Sequence, residues 1–173
     1  YFEYVPDGVH CEVVLDGTYY GVYILSERVR QGANRLNIPK PGNSGDELTG
    51  GYHVEVDRDD EVVYTSNYNP QYSWGASMIN KKISFQYKYP EFGDLTNEQK
   101  VYLHGQINKF ENSLAASNYQ DKQEGYRKYL DVTSFIYYML STEFARNEDG
   151  YRLSTNLYKH RDSVDPRFKM SLW

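Results

Sequence analysis

Glu12-Val13-Val14-Leu15-Asp16-Gly17-Thr18-Tyr19-Tyr20-Gly21-Val22-Tyr23-Ile24-Leu25-Ser26-Glu27 is the stretch from which the fold is read. Two short apolar runs meet at Asp16-Gly17, a pair favoured in two-residue hairpin turns because both turn positions need positive φ. A β-hairpin is therefore expected. Gly21 interrupts the second strand, which predicts a bulge or the close approach of another backbone. Outward from this hairpin, residues 39–50 are a loop by composition, rich in Pro, Gly, Asn and Ser. Gly51 to Val56 and Glu61 to Tyr64 read as a second hairpin around the acidic turn 57–60. Ile83 to Tyr87 alternates like a strand with one buried face.

The second half turns helical. Thr96-Asn97-Glu98-Gln99 fits a capping box, and Leu103, Ile107, Phe110 and Leu114 follow as one helical stripe. Asp131 or Thr133 can cap the next helix, where Phe135, Ile136, Met139, Leu140 and Phe144 supply a wide apolar face. That helix should end near Asn147. Thr155 to Lys159 and Phe168 to Trp173 read as strands around the turn 162–166. Strands, then helices, then a terminal hairpin predict an α+β fold. Residues 1–173 are expected to form a single, incomplete domain cut from a longer protein, with 1–90 mainly β and 91–173 mainly helical with terminal strands.

Composition narrows the function. Nineteen Lys and Arg against 24 Asp and Glu give a formal charge of −5, which argues against a broad nucleic-acid surface. No run of about 18 apolar residues is present, so no membrane span is expected. Cys11 is the only cysteine, which excludes an internal disulfide and a cysteine-rich zinc site. Tyrosine is abundant at 19 residues, suiting half-wet grooves and interfaces as well as ordinary packing. His10, His53, His104 and His160 are scattered without metal-ligand spacing, and no nucleophile elbow, phosphate-binding loop or dinucleotide fingerprint occurs. Asp57, Asp59, Asp60 and Glu61 lack the spacing of a calcium loop and read as a solvated turn. Tyr68, Tyr72 and Trp74 are candidates for stacking on a glycan or for packing over the sheet.

Glu143-Phe144-Ala145-Arg146-Asn147-Glu148-Asp149-Gly150-Tyr151 gathers carboxylates, an amide and a guanidinium at a helix-to-loop junction. Ser154, Asn156, Tyr158 and Lys159 follow on a strand. Such a loop can hold an Asp beside a hydroxyl nucleophile while an amide or second carboxylate binds a metal-nucleotide. The same residues also suit a plain solvated helix stop.

Taken together, these segments resemble the spore coat protein H (CotH) kinase-like family. Leu15 to Glu27 is similar to its "NGxYxGxYxLxE" hairpin, and Gly50-Gly51-Tyr52-His53-Val54-Glu55-Val56-Asp57 to the strand that follows. Tyr129 to Tyr138 and Glu143 to Tyr151 resemble its helix and "ExxxNxDG" segment, and Ser154, Tyr158 and Lys159 match the next strand. The motifs occur in family order over most of the chain. The resemblance implies an atypical protein-kinase fold that uses ATP and Mg2+ to phosphorylate serine on coat or surface proteins, outside a bacterial cell. It implies Asp149 as the catalytic Asp, with Asn147 fixing its loop, and Gly21, Glu27, Glu55 and Lys159 on the cofactor side. Ser154 stands where a conventional kinase loop has a metal-binding Asn, and Asn156 is the substitute. Glu27 is expected to face a basic partner, or to pair with Arg28 or Arg30 at the surface. The family's phosphate-binding lysine has no clear counterpart, with His53 or Val54 near one candidate position. Its main metal-binding Asp follows the Trp of "GPxWD", hence just past Trp173, so residues 1–173 alone are expected neither to hydrolyse ATP nor to transfer its phosphate. The alternative is a non-catalytic extracellular surface, adhesion or glycan-binding module on the same fold.

Overall fold

Asp16 and Gly17 both adopt positive φ, 50° and 78°, and turn β1 (Gly8–Leu15) into β2 (Thr18–Ser26). The computed structural model describes residues 2–58, 63–68 and 82–173. Along this ribbon Val13 lies opposite Gly21 but Val14 lies opposite Tyr19, so Tyr20 is the extra residue of a bulge. Gly21 sits at φ 107°, and no atom lies within 4 Å of where its Cβ would stand. The backbone angle, and not close approach by another chain segment, is what calls for glycine here.

A second sheet carries the remaining strands: β3 (Tyr52–Val56), β4 (Val63–Thr65), β5 (Ser84–Tyr89), β6 (Thr155–Lys159) and β7 (Phe168–Ser171). Its order is β4-β5-β3-β6-β7, and every neighbouring pair is antiparallel. The hairpin expected between residues 51–56 and 61–64 is not seen: among the described residues, 63–65 do not pair with 52–56. β4 pairs with β5, and β3 lies between β5 and β6. The reason is visible in both segments: residues 57–60 contain no Asn-Gly or Asp-Gly pair to close a tight turn. Tyr52, His53 and Val54, in turn, are all buried, so both faces of β3 need cover. The loop over 39–50 is also broken by one short helix, α1 (Gly45–Leu48).

One face of this sheet packs on α2 (Asn97–Ala115) and α3 (Val132–Ala145). The capping box forms as expected, with the Thr96 N–H donating to Gln99 Oε1 at 3.1 Å and the Gln99 N–H to Thr96 Oγ1 at 3.4 Å. Leu103 and Ile107 reach the core with Tyr52, Val54, Phe85, Leu157 and Met170, each aliphatic side chain contributing about 1.5–3 kcal/mol by burial. Phe110 packs at its margin, and Leu114 is exposed. Asp131 caps α3, accepting from the Ser134 N–H at 3.2 Å.

The buried face of α3 is not the apolar one. Ser134, Tyr138 and Thr142 are buried, Phe135 is partly buried, and Ile136, Met139, Leu140 and Phe144 are exposed, Phe144 at 93 %. Hydroxyl side chains on this face bond the helix to β7 and β6. Ser134 Oγ accepts from the Met170 N–H at 3.1 Å, and Tyr138 Oη lies 3.1 Å from Thr155 Oγ1.

The other face of the sheet is covered by the chain before β1 and after β2, where Tyr4, Leu36 and Ile38 pack with Tyr158, Val29 and Tyr89. Among the described residues no helix is long and apolar enough to cross a membrane. The architecture is mixed α and β, as expected.

Two outcomes follow from this packing. The Gly50-Gly51 pair threads between loops: a Cβ on Gly51, whose φ is 94°, would stand 2.1 Å from Pro39 O. Gly51→Ala should lower stability by at least about 2 kcal/mol, since strain and a backbone clash add. Urea unfolding will show it as a reduced midpoint with an unchanged slope. The second outcome concerns His53. Burial, aided by the Lys88 charge and opposed by a hydrogen bond to Asn156, lowers its pKa to about 4. The unfolded ring titrates near 6.5, so this stability is complete above that pH and is lost as pH falls toward 4, by about 3 kcal/mol. Unfolding free energies at pH 7 and pH 4.5 should differ less in His53→Gln than in the wild type; equal differences would refute the assignment.

Candidate active site

β6 distributes its side chains by strand alternation. Thr155, Leu157 and Lys159 face the helices, whereas Asn156 and Tyr158 face the opposite side. Glu55 lies directly opposite Asn156 in the β3–β6 register and shares its face. On the other side of β3, Glu55 aligns with Gln86, two residues before Lys88. The Lys88 ammonium reaches Glu55 Oε2 at 2.8 Å, and the two side chains are 27 % and 12 % exposed.

These residues floor a cleft of about 570 Å³ between the sheet and the base of the β1–β2 ribbon. Glu27, Arg28, Glu55, Lys88, Ser154 and Asn156 line it, with Ile24 and Trp173 as apolar wall. Glu27 accepts from the Tyr4 hydroxyl at 2.9 Å and from the Asp7 N–H at 3.3 Å. Its cationic neighbour is Arg35, at 3.8 Å, and neither Arg28 nor Arg30. Arg28 is among the residues that line the cleft.

Four residues named from the sequence thus converge: Glu27, Glu55, Ser154 and Asn156. Gly21 lies in the ribbon bulge, outside the cleft lining. Lys159 is on the opposite face of the sheet and fully buried. Its ammonium donates to Thr49 O at 2.7 Å and His160 O at 3.2 Å and pairs with Asp162. That lysine ties two loops together. Val54 is in the core, and His53 stands buried behind Asn156. The amine in the cleft comes instead from Lys88. It had a signal: alternation through Phe85 and Tyr87, continued one residue beyond Tyr87, places Gln86 and Lys88 on the other face.

Asn147 and Asp149 sit on the loop that leads from α3 into Ser154 and do not line the cleft. Asn147 Oδ1 accepts from the Asp149 N–H at 3.2 Å, and the Asp149 carboxylate pairs with Arg152 at 3.0 Å. Both partners of that pair are substantially exposed, so it restrains Asp149 only weakly. The loop is strained: Arg146, Tyr151 and Ser154 all have positive φ, at 50°, 72° and 49°. Non-glycine residues in this region cost on the order of 1–3 kcal/mol each, and such strain clusters at functional sites. Ser154 Oγ lies 3.5 Å from Asp57 Oδ2, and its carbonyl accepts from the Asn156 amide at 2.8 Å. Of the aromatic trio, Tyr68 donates its hydroxyl to Asn112 at 2.7 Å, while Tyr72 and Trp74 lie outside the described residues. So do Asp59, Asp60 and Glu61.

Among the described residues no three His, Cys, Asp or Glu side chains form a ready metal cage. The cleft offers instead the carboxylates of Glu55 and Glu27, the Ser154 hydroxyl and the Asn156 amide, beside two cations. That donor set fits magnesium, which takes oxygen ligands, keeps several waters and uses one or two carboxylates plus substrate phosphates. Lys88 and Arg28 fit the phosphates. The volume lies within the range of about 300–1,000 Å³ common to small-ligand sites.

Comparison with curated proteins and with solved structures returned no match. The family model described as "CotH kinase protein" matches residues 4–173, nearly the whole chain and every element of the cleft. The chain therefore belongs to the CotH kinase family.

Proposed function

We propose that the cleft binds ATP with Mg2+ and that the protein transfers the terminal phosphoryl group to a serine hydroxyl of a coat or surface protein, on an atypical kinase fold. The observation that carries this reading is the convergence of Glu27, Glu55, Ser154 and Asn156 with Lys88 and Arg28 in one cleft of a CotH-family chain. A bound magnesium ion would neutralise the phosphate charge.

The chain's own groups do the rest. Lys88, held by Glu55 as a neighbour at 2.8 Å, and Arg28 supply positive charge to phosphate oxygens. Asn156, Ser154 and Glu55 are the oxygen donors that would hold the metal. Trp173 and Ile24 give the nucleotide base an apolar wall and keep water from it. Asp149, released from its exposed pair with Arg152, accepts the serine proton as the serine oxygen bonds to phosphorus and the bond to the leaving diphosphate breaks. Asn147 steadies that loop through the Asp149 N–H. Gly21 keeps the ribbon's twist, and Glu27 anchors the ribbon's base to Tyr4 and Arg35.

Lys88→Met should weaken binding of Mg-ATP at least tenfold in calorimetry, because a phosphate loses a charge-assisted partner at the cleft floor. Unchanged affinity would remove the nucleotide from this cleft. In the whole protein, Asp149→Asn should lower phosphoryl transfer by about 10²–10⁴ while ATP affinity stays within a few-fold, as expected for a group that handles the proton and not the phosphates. Transfer within a few-fold of wild type would end the role given to Asp149.

A further inference from the structure

We infer that His53 is a positioning residue of this site: its buried ring holds the Asn156 carboxamide in one orientation, and so decides that an amide oxygen is the end available as a ligand. The inference rests on the kinase reading above only for the identity of the ligand.

His53 and Asn156 lie on adjacent strands, facing the same side of the sheet, and are 1 % and 2 % exposed. His53 Nε2 is 2.7 Å from Asn156 Oδ1, and the Asn156 Nδ2–H donates to Ser154 O at 2.8 Å. An amide oxygen only accepts, so Nε2 must carry the ring proton. Nδ1 is then a bare acceptor, and it is buried with no partner among the described residues. A buried acceptor left unfilled is destabilising, and an aliphatic side chain would fill this place without that penalty. The return for keeping an imidazole is the bond to Asn156.

That bond acts as a lock. Turning the amide over would set its oxygen against the Ser154 carbonyl and its NH2 against the Nε2–H, a clash that only a shift of the ring proton to the buried, unpartnered Nδ1 would relieve at the ring. The amide oxygen keeps one lone pair uncommitted. Hard cations such as magnesium take carbonyl oxygens and not amide nitrogens, so the lock selects the ligating end. The same ring leaves Asn156 its place in the cleft wall, next to Ser154 and across from Glu55.

The test uses the whole protein with Mn2+ as the spectroscopic stand-in for magnesium and a non-hydrolysable ATP analogue. His53→Leu should lower Mn2+ affinity in the ternary complex at least tenfold, with affinity for the metal-free nucleotide within twofold of wild type. His53→Gln, whose amide NH2 can still donate to Asn156, should recover most of the loss; a purely structural role would not separate metal from nucleotide in this way. Mn2+ affinity in His53→Leu within twofold of wild type overturns the inference alone. Failure of the wild type to bind the Mn2+–nucleotide pair overturns it together with the kinase reading. Should His53→Leu not fold, nitrogen NMR of the wild-type ring decides: a proton on Nε2 with a slowly exchanging Asn156 amide supports the lock, and a proton on Nδ1 overturns it.

Discussion

The rest of the structure depends on β3 having no solvent face. Tyr52 and Val54 enter the helix-backed core while His53 and Glu55 point the other way, and the strand is hydrogen-bonded along both edges. Alternation is strict in a strand, so a slip of one residue would exchange the two sets and place a carboxylate in the core. Burial on both faces therefore fixes the register, and the register places Glu55 opposite Asn156 and within reach of Lys88. Core packing and cleft chemistry are two faces of one constraint.

The cleft is built so that its charges are compensated within the protein before a ligand arrives. Glu55 is paired with Lys88, and Glu27 is held by Tyr4 and Arg35. A half-buried pair such as Lys88–Glu55 adds little net stability once desolvation is counted, but it holds both groups in place. In contrast, the loop from Arg146 to Ser154 is strained and its carboxylate only loosely paired. Strands hold Glu55, Lys88 and Asn156, and the loop that carries Ser154 and the candidate proton acceptor keeps freedom to reorganise.

How much of this was legible in the sequence depended on the range of the interaction. The Asp16-Gly17 turn, the Thr96–Gln99 capping box and the Asp131 cap are satisfied by neighbours within a few residues, and each formed where its residues said it would. The buried face of α3 was not legible, because hydrophobicity marks what would gain from burial and not which hydroxyls find partners on other strands. Ser134 and Tyr138 are buried with bonds to β7 and β6, and Thr142 is buried beside them, while Phe144 remains in solvent. Nor was the pairing of β4 legible, since strand partners compete over distances that no local pattern records.

For the site, the sequence by itself determined the family, through motifs carried in order along the chain, and the chemical kinds of residue available near Asp149, Ser154 and Asn156. The tertiary structure decided which of them meet. It brought Lys88 to Glu55 and His53 to Asn156, and it turned Lys159 away, although Lys159 stands three residues from Asn156 in the chain. The physical reason is that side chains an odd number of residues apart on a strand lie on opposite faces, whereas residues a hundred positions apart on paired strands can touch.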